Sequence, residues 1–599
     1  MQRDLLGCVA RPTPMAGEHD LARLFGGTKH AITALDSSQS VFVGLPTNSA
    51  ERRVSGIYRA AANVSVCLWG WDGLPLDPSL GFDWSSPTTN LAASLPGEYS
   101  RRFILIVWDD EKRELQIVRD PLGLETVYYA RLGVDGVAIS NRLQALLCLP
   151  ELSNDPDPLS CAEALLALPR TPGGTMVRAI QELPRGTALT FAHQTLSLRR
   201  VSRIVPRWVD ASPDVMVEAM RERLAMSVRK CLGSSQRSGV AFSGGVDSSA
   251  ILANLVTLRG PAVTALTHIF PTHPEAEESC YQEQVLEQYP CQTARFTPLA
   301  PLALDELIEF TDEPEWIPVS SLVTSWARYA ENIGLDCVIT GNFGDHVGGP
   351  IRNPLEWLLL RQRWCDAWDA VQASSRYRRC ARFAMAFART HQRHLKTRAM
   401  QRQVGWRCTV HWLRRISRKL RNRYDLEERV RIFWLNQISS DIDFVAASES
   451  YFDGASCRVG AVRRLAERAS TVRIEDPFVD VPLVEVTASL PFGLRWDRGM
   501  NRIALRNAMC DTRLPDGVRL RRTKAKLDGP HVDFFNHLEL QDRGQGIAPL
   551  EDLLELSAPT GEPFRPTDAD YAKFRDVTAL SVASFLRMML NGGATKINR

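Results

Sequence analysis

Apolar residues in roughly the first 200 positions recur in the short, paired runs that are typical of antiparallel strands. An uninterrupted apolar run covers residues 103–108, a polar turn follows at 109–113, and a second apolar run returns over 115–118. Proline- and glycine-rich stretches separate these runs and predict loops. Two further short strands and a helix are predicted at 126–130, 137–140 and 143–148.

After about residue 214 the pattern changes to helices and strands in alternation. Strand followed by helix and strand again predicts parallel βαβ units, whose binding loops follow the carboxyl ends of the strands. From about residue 354 onward the apolar spacing is almost entirely helical. The predicted elements are helices at 215–230, 248–258 and 320–332 and strands at 239–242, 262–268 and 336–340.

Length and composition favour a multidomain enzyme. A chain of 599 residues exceeds one compact domain, and 44% apolar with 24% charged residues is too apolar for disorder. No apolar run approaches the roughly 20 residues of a membrane-spanning helix, and the first residues do not resemble a secretory signal. The thirteen cysteines include no C-x-x-C pair, which argues against a disulfide scaffold and a zinc site. We therefore expect a cytoplasmic protein with reduced thiols and no membrane partner.

Positive charge is concentrated in one segment. Residues 376–423 contain sixteen Lys or Arg and no Asp or Glu, although the net charge of the whole chain is only +3. Three interpretations are open: a solvated face of long helices, a nucleic-acid surface, or a docking surface for an acidic or extended peptide or a partner protein. Because no base-reading motif accompanies the segment, we expect no nucleic-acid partner.

The strongest motif lies between the predicted strand 239–242 and the helix that follows it. Two adjacent glycines let backbone N–H groups close around an anion, and the helix N-terminus adds the positive end of its dipole. The serines add hydroxyl donors. Asp247 would repel phosphate, so a carboxylate here is better explained as a magnesium ligand. The predicted nucleotide-binding residues are Phe242, Ser243, Gly244, Gly245, Asp247, Ser248 and Ser249.

This S-G-G-x-D-S-S loop resembles the pyrophosphate-binding loop of the N-type ATP pyrophosphatases, which cleave ATP to AMP and pyrophosphate. Other segments, in the same order along the chain, resemble those of asparagine synthetases within that group. They are Asp312-Glu313-Pro314, the Gly-rich turn from Gly341 to Asp345 after a strand, the segment from Asp476 to Glu485, Leu514-Pro515 and Arg522-Thr523-Lys524.

The resemblance implies roles for individual residues. Asp247 and Asp345 would hold Mg²⁺ against the phosphates of ATP, and Gly341 would join the nucleotide site. Lys524 matches a lysine that stabilises the oxyanion formed when an amine attacks the acyl-adenylate, and Lys526 is a weaker candidate. ATP and Mg²⁺ are therefore the expected cofactors, and Lys524 and Asp345 are the expected catalytic residues.

The N-terminal region resembles the glutamine amidotransferase domain of asparagine synthetases, an αββα sandwich. The similar segments are 95–99, 107–109 and 118–123. That domain uses a cysteine at position 2 as its nucleophile, whereas this chain has Gln2, and its first cysteine, Cys8, would lack the free α-amine as base. We therefore expect that glutamine is neither hydrolysed nor required and that the domain is a retained scaffold.

Without ammonia, the attacking amine must belong to a substrate. Superfamily members without the cysteine include β-lactam synthetases and the cyclases of lasso-peptide biosynthesis, and both close an amide within one molecule. Asn342 replaces the tyrosine base of the β-lactam enzymes and cannot accept a proton. Asp441, Asp443 and Glu449 are alternative bases among which the sequence does not choose.

We therefore interpret the chain as an α/β protein of two domains. Residues 1–205 form a degenerate amidotransferase-like αββα sandwich, and residues 210–599 form a parallel-sheet ATP pyrophosphatase domain with a large helical portion. The favoured function is lasso-peptide macrolactam formation on a peptide substrate, with a leader-processing protease and a precursor-recognition protein as further candidate partners. The alternatives are asparagine-synthetase-like or β-lactam-type chemistry on a small substrate, and a catalytically inactive binding protein.

Overall fold

The structure of the protein is a computed structural model. None of the helices in the part of the chain that it describes is long and apolar enough to cross a membrane. The described residues are 7–10, 30–34, 41–46, 54–61, 64–71, 102–300, 302–314, 317–347, 354–371, 373–438, 459–522, 530, 533, 547–557 and 569–590.

The N-terminal strands form two antiparallel six-stranded sheets, in the orders β10-β8-β9-β1-β3-β2 and β12-β11-β7-β6-β5-β4. The predicted hairpin is confirmed, since Ile104 pairs with Arg119 and Trp108 with Leu115. The strands are β1 (Gly7–Ala10), β2 (His30–Ala34), β3 (Val41–Pro46), β4 (Val54–Ala61), β5 (Val64–Trp71), β6 (Ile104–Asp109), β7 (Glu114–Arg119), β8 (Tyr128–Leu132), β9 (Gly136–Ser140), β10 (Gln181–Glu182), β11 (Thr187–Ala192) and β12 (Thr195–Arg200).

The two sheets pack face to face through alternating apolar side chains. Ile104 and Ile106 of β6 are fully buried against Val43 and Ile139 of the other sheet. Successive side chains of a strand point to opposite faces, so these alternate positions supply the sandwich interior. Cys8 belongs to the same core and is fully buried, with Cys67 beside it.

A buried aspartate organises the turn that contains the N-terminal motif at 118–123. The buried Asp120 carboxylate accepts hydrogen bonds from the backbone N–H groups of Leu122, Leu124 and Glu125 at 3.1, 2.9 and 2.8 Å. Gly123 within this turn has φ +73°, a conformation that favours glycine. The motif at 118–123 therefore has a structural function that does not depend on glutamine chemistry.

A parallel five-stranded sheet, ordered β15-β14-β13-β16-β17, forms the centre of the second half of the chain. The chain proceeds outward from β13 through β14 to β15 and then returns to place β16 on the other side of β13. This reversal creates a switch point beside the carboxyl end of β13, where α/β sheets bind ligands. The strands are β13 (Ser238–Ala241), β14 (Thr264–His268), β15 (Gln292–Phe296), β16 (Cys337–Thr340) and β17 (Arg473–Glu475), followed by the hairpin β18 (Trp496–Asp497) and β19 (Met500–Asn501).

The α/β fold class is confirmed, and the region after residue 354 is largely helical as predicted. The pattern analysis missed β15, which has exposed polar residues at a sheet edge, and β17, which is only three residues long. The helices are α1 (Leu143–Leu146), α2 (Pro158–Leu165), α3 (Pro213–Leu232), α4 (Val246–Arg259), α5 (Ser279–Gln288), α6 (Leu304–Thr311), α7 (Ile317–Asn332), α8 (Gly344–Val347), α9 (Pro354–Leu360), α10 (Trp364–Ala370), α11 (Arg376–His391), α12 (Arg393–Gln401), α13 (Val404–Arg415), α14 (Arg418–Arg423), α15 (Leu426–Ile438), α16 (Val459–Ala469), α17 (Val481–Ser489), α18 (Phe492–Arg495), α19 (Ile503–Ala508), α20 (Asp516–Arg519), α21 (Ala548–Leu554) and α22 (Ala569–Leu590). Two 3₁₀ turns lie at Gly260–Ala262 and Pro274–Ala276.

One apolar core contains residues from both halves of the chain. Leu146 of α1 and Leu165 of α2 pack in the same cluster as Trp412 of α13 and Val582 of α22. Burial of each such side chain stabilises the fold by roughly 1.5–3 kcal/mol. The C-terminal helices therefore belong to the packing of the N-terminal sandwich, and the predicted division near residues 205–210 stays a prediction.

The basic segment 376–423 forms helices that differ in burial. Helix α11, described over its whole length, buries none of its residues, whereas Arg415 at the end of α13 is buried. The Arg415 guanidinium lies 4.3 Å from the centroid of the Trp412 ring, 3.6 Å from a carboxylate oxygen of Glu551 and donates to the Ser557 carbonyl at 3.1 Å. The segment is thus not uniformly a solvated face.

Arg414 and Arg415 provide a matched pair of charge reversals. We expect Arg415→Glu to lower the free energy of unfolding by about 3 kcal/mol, because it places a carboxylate beside Glu551 in a buried position. Arg414→Glu, at an exposed position, should change it by about 0.5 kcal/mol or less. Urea denaturation followed by far-UV circular dichroism measures both. Equal losses in the two variants would contradict this assignment of Arg415.

Candidate active site

The glycine-serine loop connects β13 to α4. The Ser248 hydroxyl accepts from the Ser243 N–H at 3.2 Å and lies 3.1 Å from the Ser243 hydroxyl. These contacts join the start of the loop to the first turn of α4. Gly244 has φ +82°, and a Cβ there would lie 3.1 Å from Gln282. Gly245 caps α4 without a side chain. The loop therefore presents backbone N–H groups and the Ser243 hydroxyl at a helix N-terminus, the geometry of an anion site.

The loop after β16 approaches this helix closely. A Cβ on Gly341 would lie 2.7 Å from the backbone nitrogen of Ser248. A Cβ on Gly344 would lie 2.6 Å from the carboxyl carbon of Asp247. Both contacts are shorter than any side chain tolerates, so only glycine permits the approach. This approach brings Asp345, the residue after Gly344, next to Asp247.

One arginine bridges the two carboxylates. The Arg502 Nη1 atom forms an ion pair with Asp345 Oδ1 at 2.8 Å and a shorter contact with Asp247 Oδ2. The Arg502 side chain is only 5% exposed. Two acidic side chains at the ends of neighbouring strands therefore lie within reach of a single cation.

Buried backbone contacts hold Arg502 in place. Arg502 has φ +59° and caps α19, and its N–H donates to the Arg495 carbonyl at 2.8 Å. Arg495 in turn donates to the carbonyls of Leu490, Thr487 and Ala488 at the end of α17. Burial lowers the pKa of Arg495 to about 9. The residues on both sides of the hairpin β18–β19 are thus held in place. The Arg502 side chain, directly after the hairpin, points to the carboxylates.

These groups line a cavity of about 690 Å³. The lining includes the loop residues and carboxylates, together with a group of aromatic side chains around His268 and Trp326 that we call the aromatic wall. The lining residues include Phe242, Ser243, Gly245, Asp247, His268, Trp326, Asn342, Asp345, Pro354, Trp496, Arg502 and Arg506.

His268 anchors the aromatic wall. Its ring stacks on Trp326, with centroids 4.9 Å apart and planes inclined by 7°, and meets the edge of Phe296 at 4.8 Å. The His268 Nε2 atom lies 3.1 Å from the Ser325 hydroxyl. Burial lowers the pKa of His268 to about 3. The imidazole is therefore neutral at physiological pH and contributes a flat ring with one hydrogen-bonding edge.

Comparison with known sequences assigns the family. The pattern of the family described as "Asparagine synthase" matches residues 219–543, more than half of the chain. The chain belongs to the asparagine synthase family. The pattern described as "Glutamine amidotransferase domain" matches residues 93–201. The family resemblance inferred from the motifs is confirmed at this level.

Individual relatives of this asparagine synthase family member match over short segments. It is 30% identical to "Asparagine synthetase [glutamine-hydrolyzing] 3" of Bacillus subtilis (strain 168) over 152 residues, 25% of each chain. It is 28% identical to "Asparagine synthetase [glutamine-hydrolyzing] 2" of the same strain over 165 residues, 25% of this chain and 22% of the relative. The aligned segments thus span about a quarter of these relatives.

A solved structure of glutamine phosphoribosylpyrophosphate amidotransferase from B. subtilis, complexed with ADP and GMP, aligns with 56% of this chain and 81% of its own. The identity is 11% and the TM-score is 0.23, too low to support a conclusion about this protein.

The carboxylates fit a magnesium ion. Asp247 and Asp345 both contact one nitrogen of Arg502, so their oxygens lie close enough to share a divalent cation, and carboxylate oxygen is the donor that Mg²⁺ prefers. Within the described ranges no group of three or more His, Cys, Asp or Glu could hold a metal. Two carboxylates with substrate phosphates and water are a common Mg²⁺ environment, so the donor set fits that ion.

The other predicted residues lie in different places. Ser243, Gly245 and Asp247 line the cavity together with Phe242, whereas Gly244, Ser248, Ser249 and Gly341 are not among its lining residues. Ser249 is fully buried, and its hydroxyl has no hydrogen-bond partner among the described residues. The roles assigned to all of these residues stay predictions. Lys524, Lys526, Asp441, Asp443, Glu449 and Gln2 lie outside the described residues.

Cys8 is poorly suited to nucleophilic chemistry. Burial, reinforced by neighbouring Cys67, raises the pKa of the Cys8 thiol far above its usual range. The nucleophile of a cysteine enzyme is the thiolate, which this environment disfavours.

Sequence reasoning missed Arg502, His268 and Trp326. Arg502 lies at a helix N-terminus, where a cation is electrostatically unfavourable unless acidic groups face it. An arginine at this unfavourable position is the feature of the sequence that could have indicated an acidic partner. His268 and Trp326 gave none, because they come from β14 and α7 and meet only after folding.

The buried neutral state of His268 predicts acid sensitivity. Between pH 6.5 and about 3 the unfolded chain binds a proton that the native His268 does not, so native stability falls as the pH falls. As the pH falls, the free energy of unfolding of the wild type should decrease relative to that of His268→Phe. The limiting slope is about 1.4 kcal/mol per pH unit, and partial exposure of the ring makes the observed slope smaller. Ser325 keeps a partner in the variant, since it also accepts from the Leu299 N–H.

Chemical denaturation at several pH values between 7.5 and 4.5 measures the difference. His193→Asn is a suitable control, because His193 is exposed and its φ of +47° suits asparagine. Parallel stability curves for wild type and His268→Phe across this range would contradict the assignment.

Proposed function

We propose that the protein activates a substrate carboxylate with ATP, releasing pyrophosphate, and then forms an amide within the same molecule with release of AMP. The favoured substrate is a peptide, as in lasso-peptide macrolactam cyclisation. The proposal rests mainly on one observation: Asp247 and Asp345 contact the same arginine beside the glycine-serine loop that contains Ser243 and Gly245. An aspartate in a phosphate loop suits metal-assisted cleavage of ATP.

In the activation step, the substrate carboxylate attacks the α-phosphorus of ATP in line, and pyrophosphate leaves. The loop N–H groups and the Ser243 hydroxyl hold the negative charge of the departing group, and being already ordered they need no reorganisation. Asp247 and Asp345 would hold Mg²⁺, which when bound neutralises phosphate charge. The cavity shields the acyl-adenylate from water.

In the second step, an amine of the substrate attacks the acyl-adenylate and AMP leaves. Burial of Cys8 supports an amine that comes from a source other than glutamine. The oxyanion requires a nearby cation; Lys524 is the proposed group, and Arg502 is a described cation on the cavity wall. An α-amine has a pKa of about 8, so a weak base such as Asp441, Asp443 or Glu449 would suffice.

A peptide substrate is supported by the position of the basic helices. Helix α11 packs through Phe383 and Ala386 against a cluster that contains Trp357, Phe492 and Trp496. Trp496 and Pro354, the first residue of α9, line the cavity. Helix α11 is therefore connected to the cavity lining through this cluster, and we propose that its exposed arginines hold an extended acidic peptide.

A small β-amino acid would not need such a surface. Chemistry on a small substrate, asparagine-synthetase-like or β-lactam-type, remains the alternative. We place the reaction in the cytoplasm, with a leader-processing protease and a precursor-recognition protein as proposed partners.

The ATP chemistry has a direct test. Incubation with ATP, Mg²⁺ and peptides that carry a free α-amine and an internal Asp or Glu should yield AMP, pyrophosphate and a product lighter than the peptide by one water. Asp247→Asn and Asp345→Asn should each reduce the rate at least 100-fold, because one charge is lost from the cation site. Circular dichroism and the melting temperature serve as the folding control. Formation of ADP and phosphate would overturn the proposal, and glutamine-dependent product would contradict the role of the substrate amine.

The choice between a peptide and a small substrate can be tested on α11. Arg378→Glu combined with Arg389→Glu should raise the KM for the peptide about tenfold at low ionic strength and less at high salt, since charge pairs at a surface are screened. The KM for ATP should not change. Arg203→Glu combined with Arg229→Glu makes the same charge change at exposed positions elsewhere. Equal effects of the two pairs, or turnover of a small β-amino acid instead of any peptide, would favour the alternative.

A further inference from the structure

Two fully buried carboxylates lie in residues 312–314, which follow the end of α6 and are called the α6–α7 turn. Asp312 and Glu313 both have 0% exposure, and Asp312 has a left-handed φ of +69°. Neither residue lines the cavity. Their conspicuous position in the sequence, Asp-Glu-Pro, is therefore not explained by contact with a substrate in this site.

Both carboxylates pair with arginines of the amidotransferase-like region. The Arg142 Nε atom donates to Asp312 at 2.8 Å, and the Arg170 Nη1 atom donates to Glu313 at 2.7 Å. Both arginines fall within the segment 93–201 that matches the amidotransferase pattern. The side chains of Arg142 and Arg170 are 12% and 9% exposed. The pairs therefore join the two halves of the chain in a poorly hydrated environment.

Further hydrogen bonds hold the turn on both sides. Arg142 also donates to the Glu309 carbonyl at 2.8 Å, and the Met176 N–H donates to Glu313 at 2.7 Å. Burial on its own raises the pKa of Asp312, but Arg142, Arg468 and Arg464 outweigh it and leave that pKa below its usual value. The carboxylate is thus ionised. Without Arg142 it keeps an ion pair with Arg468 at 3.3 Å but loses its closer guanidinium partner, at 2.8 Å, in a buried position where such a loss is costly.

Helix α7 follows this turn along the chain and contributes to the aromatic wall of the cavity. Helix α7 begins at Ile317 and carries Val323 and Trp326 to the cavity lining. The preceding side chain, Ser325, contacts His268. The position of α7 therefore sets the position of the His268–Trp326 stack.

We propose that Arg142 and Arg170 are positioning residues: from the amidotransferase-like region they fix the α6–α7 turn and, through α7, the aromatic wall of the cavity. The assignment rests on the proposed function of that cavity. It gives the N-terminal region a role in the synthetase site that requires neither glutamine nor a cysteine nucleophile.

The test compares Arg142→Met and Arg170→Met with Arg429→Met in the full chain. Arg429 also pairs with a buried carboxylate across the two halves, Glu163, at 2.7 Å; its other side-chain hydrogen bond among the described residues goes to the Thr171 hydroxyl, not to residues 312–314. When the Arg429 guanidinium is removed, Glu163 keeps hydrogen bonds from the Thr171 N–H and hydroxyl. We expect the KM for ATP in the AMP-forming reaction to rise at least fivefold in the first two variants and to change less than twofold in the control. Arg142→Lys and Arg170→Lys should recover part of the loss.

Hydrogen exchange followed by mass spectrometry provides a readout independent of turnover. Peptides covering residues 317–332 should exchange faster in the Arg142 and Arg170 variants, including the milder lysine forms if a methionine form fails to fold, and should be unchanged in Arg429→Met. Unchanged exchange in α7, or a KM effect equal to that of the control, would overturn the proposal. If wild type forms no AMP while α7 still loosens selectively, the proposed function fails and the positioning role stands.

Discussion

The arrangement of the site depends on the repulsion between two carboxylates that the fold forces together. Asp247 and Asp345 follow adjacent parallel strands, and parallel strands deliver their following loops to the same edge. Two like charges that share one site repel each other, and a cation between them offsets this repulsion. In this structure the cation is the guanidinium of Arg502, and the same oxygens are suited to Mg²⁺. Much of the surrounding structure maintains this proximity.

Several sequence features can be understood from that constraint. Gly341 and Gly344 lack side chains because any Cβ would collide with the helix and carboxylate opposite. Arg495 holds the end of α17 and the start of the β18–β19 hairpin, so that Arg502 enters from a fixed direction. The buried guanidinium of Arg502 offsets part of the negative charge that the two carboxylates bring to this edge.

The second organising feature is the ionic contact between the two halves of the chain. Buried ion pairs contribute little net stability compared with apolar packing, but breaking one of them is costly. They therefore fix a relative position more than they strengthen an interface. The pairs at Asp312 and Glu313 act on the α6–α7 turn, while Arg102 reaches Glu475 in β17 through a separate buried contact. The amidotransferase-like region thus contacts the second half of the chain at more than one point.

The sequence alone determined the class of fold, the position of the glycine-serine loop between a strand and a helix, and the family. Those features are local: periodicity sets the elements, and a glycine-serine loop before a helix needs no distant partner to form an anion site. The family resemblance also placed Asp247 and Asp345 in one site, and the structure brings both carboxylates to Arg502. The sequence did not separate Arg415 from the exposed arginines, because burial depends on helices that are distant in sequence. It also did not reveal Arg502, the His268–Trp326 stack or the partners of Asp312 and Glu313. Each of these is a contact between segments far apart along the chain, and only tertiary packing decides which polar groups meet where water is excluded.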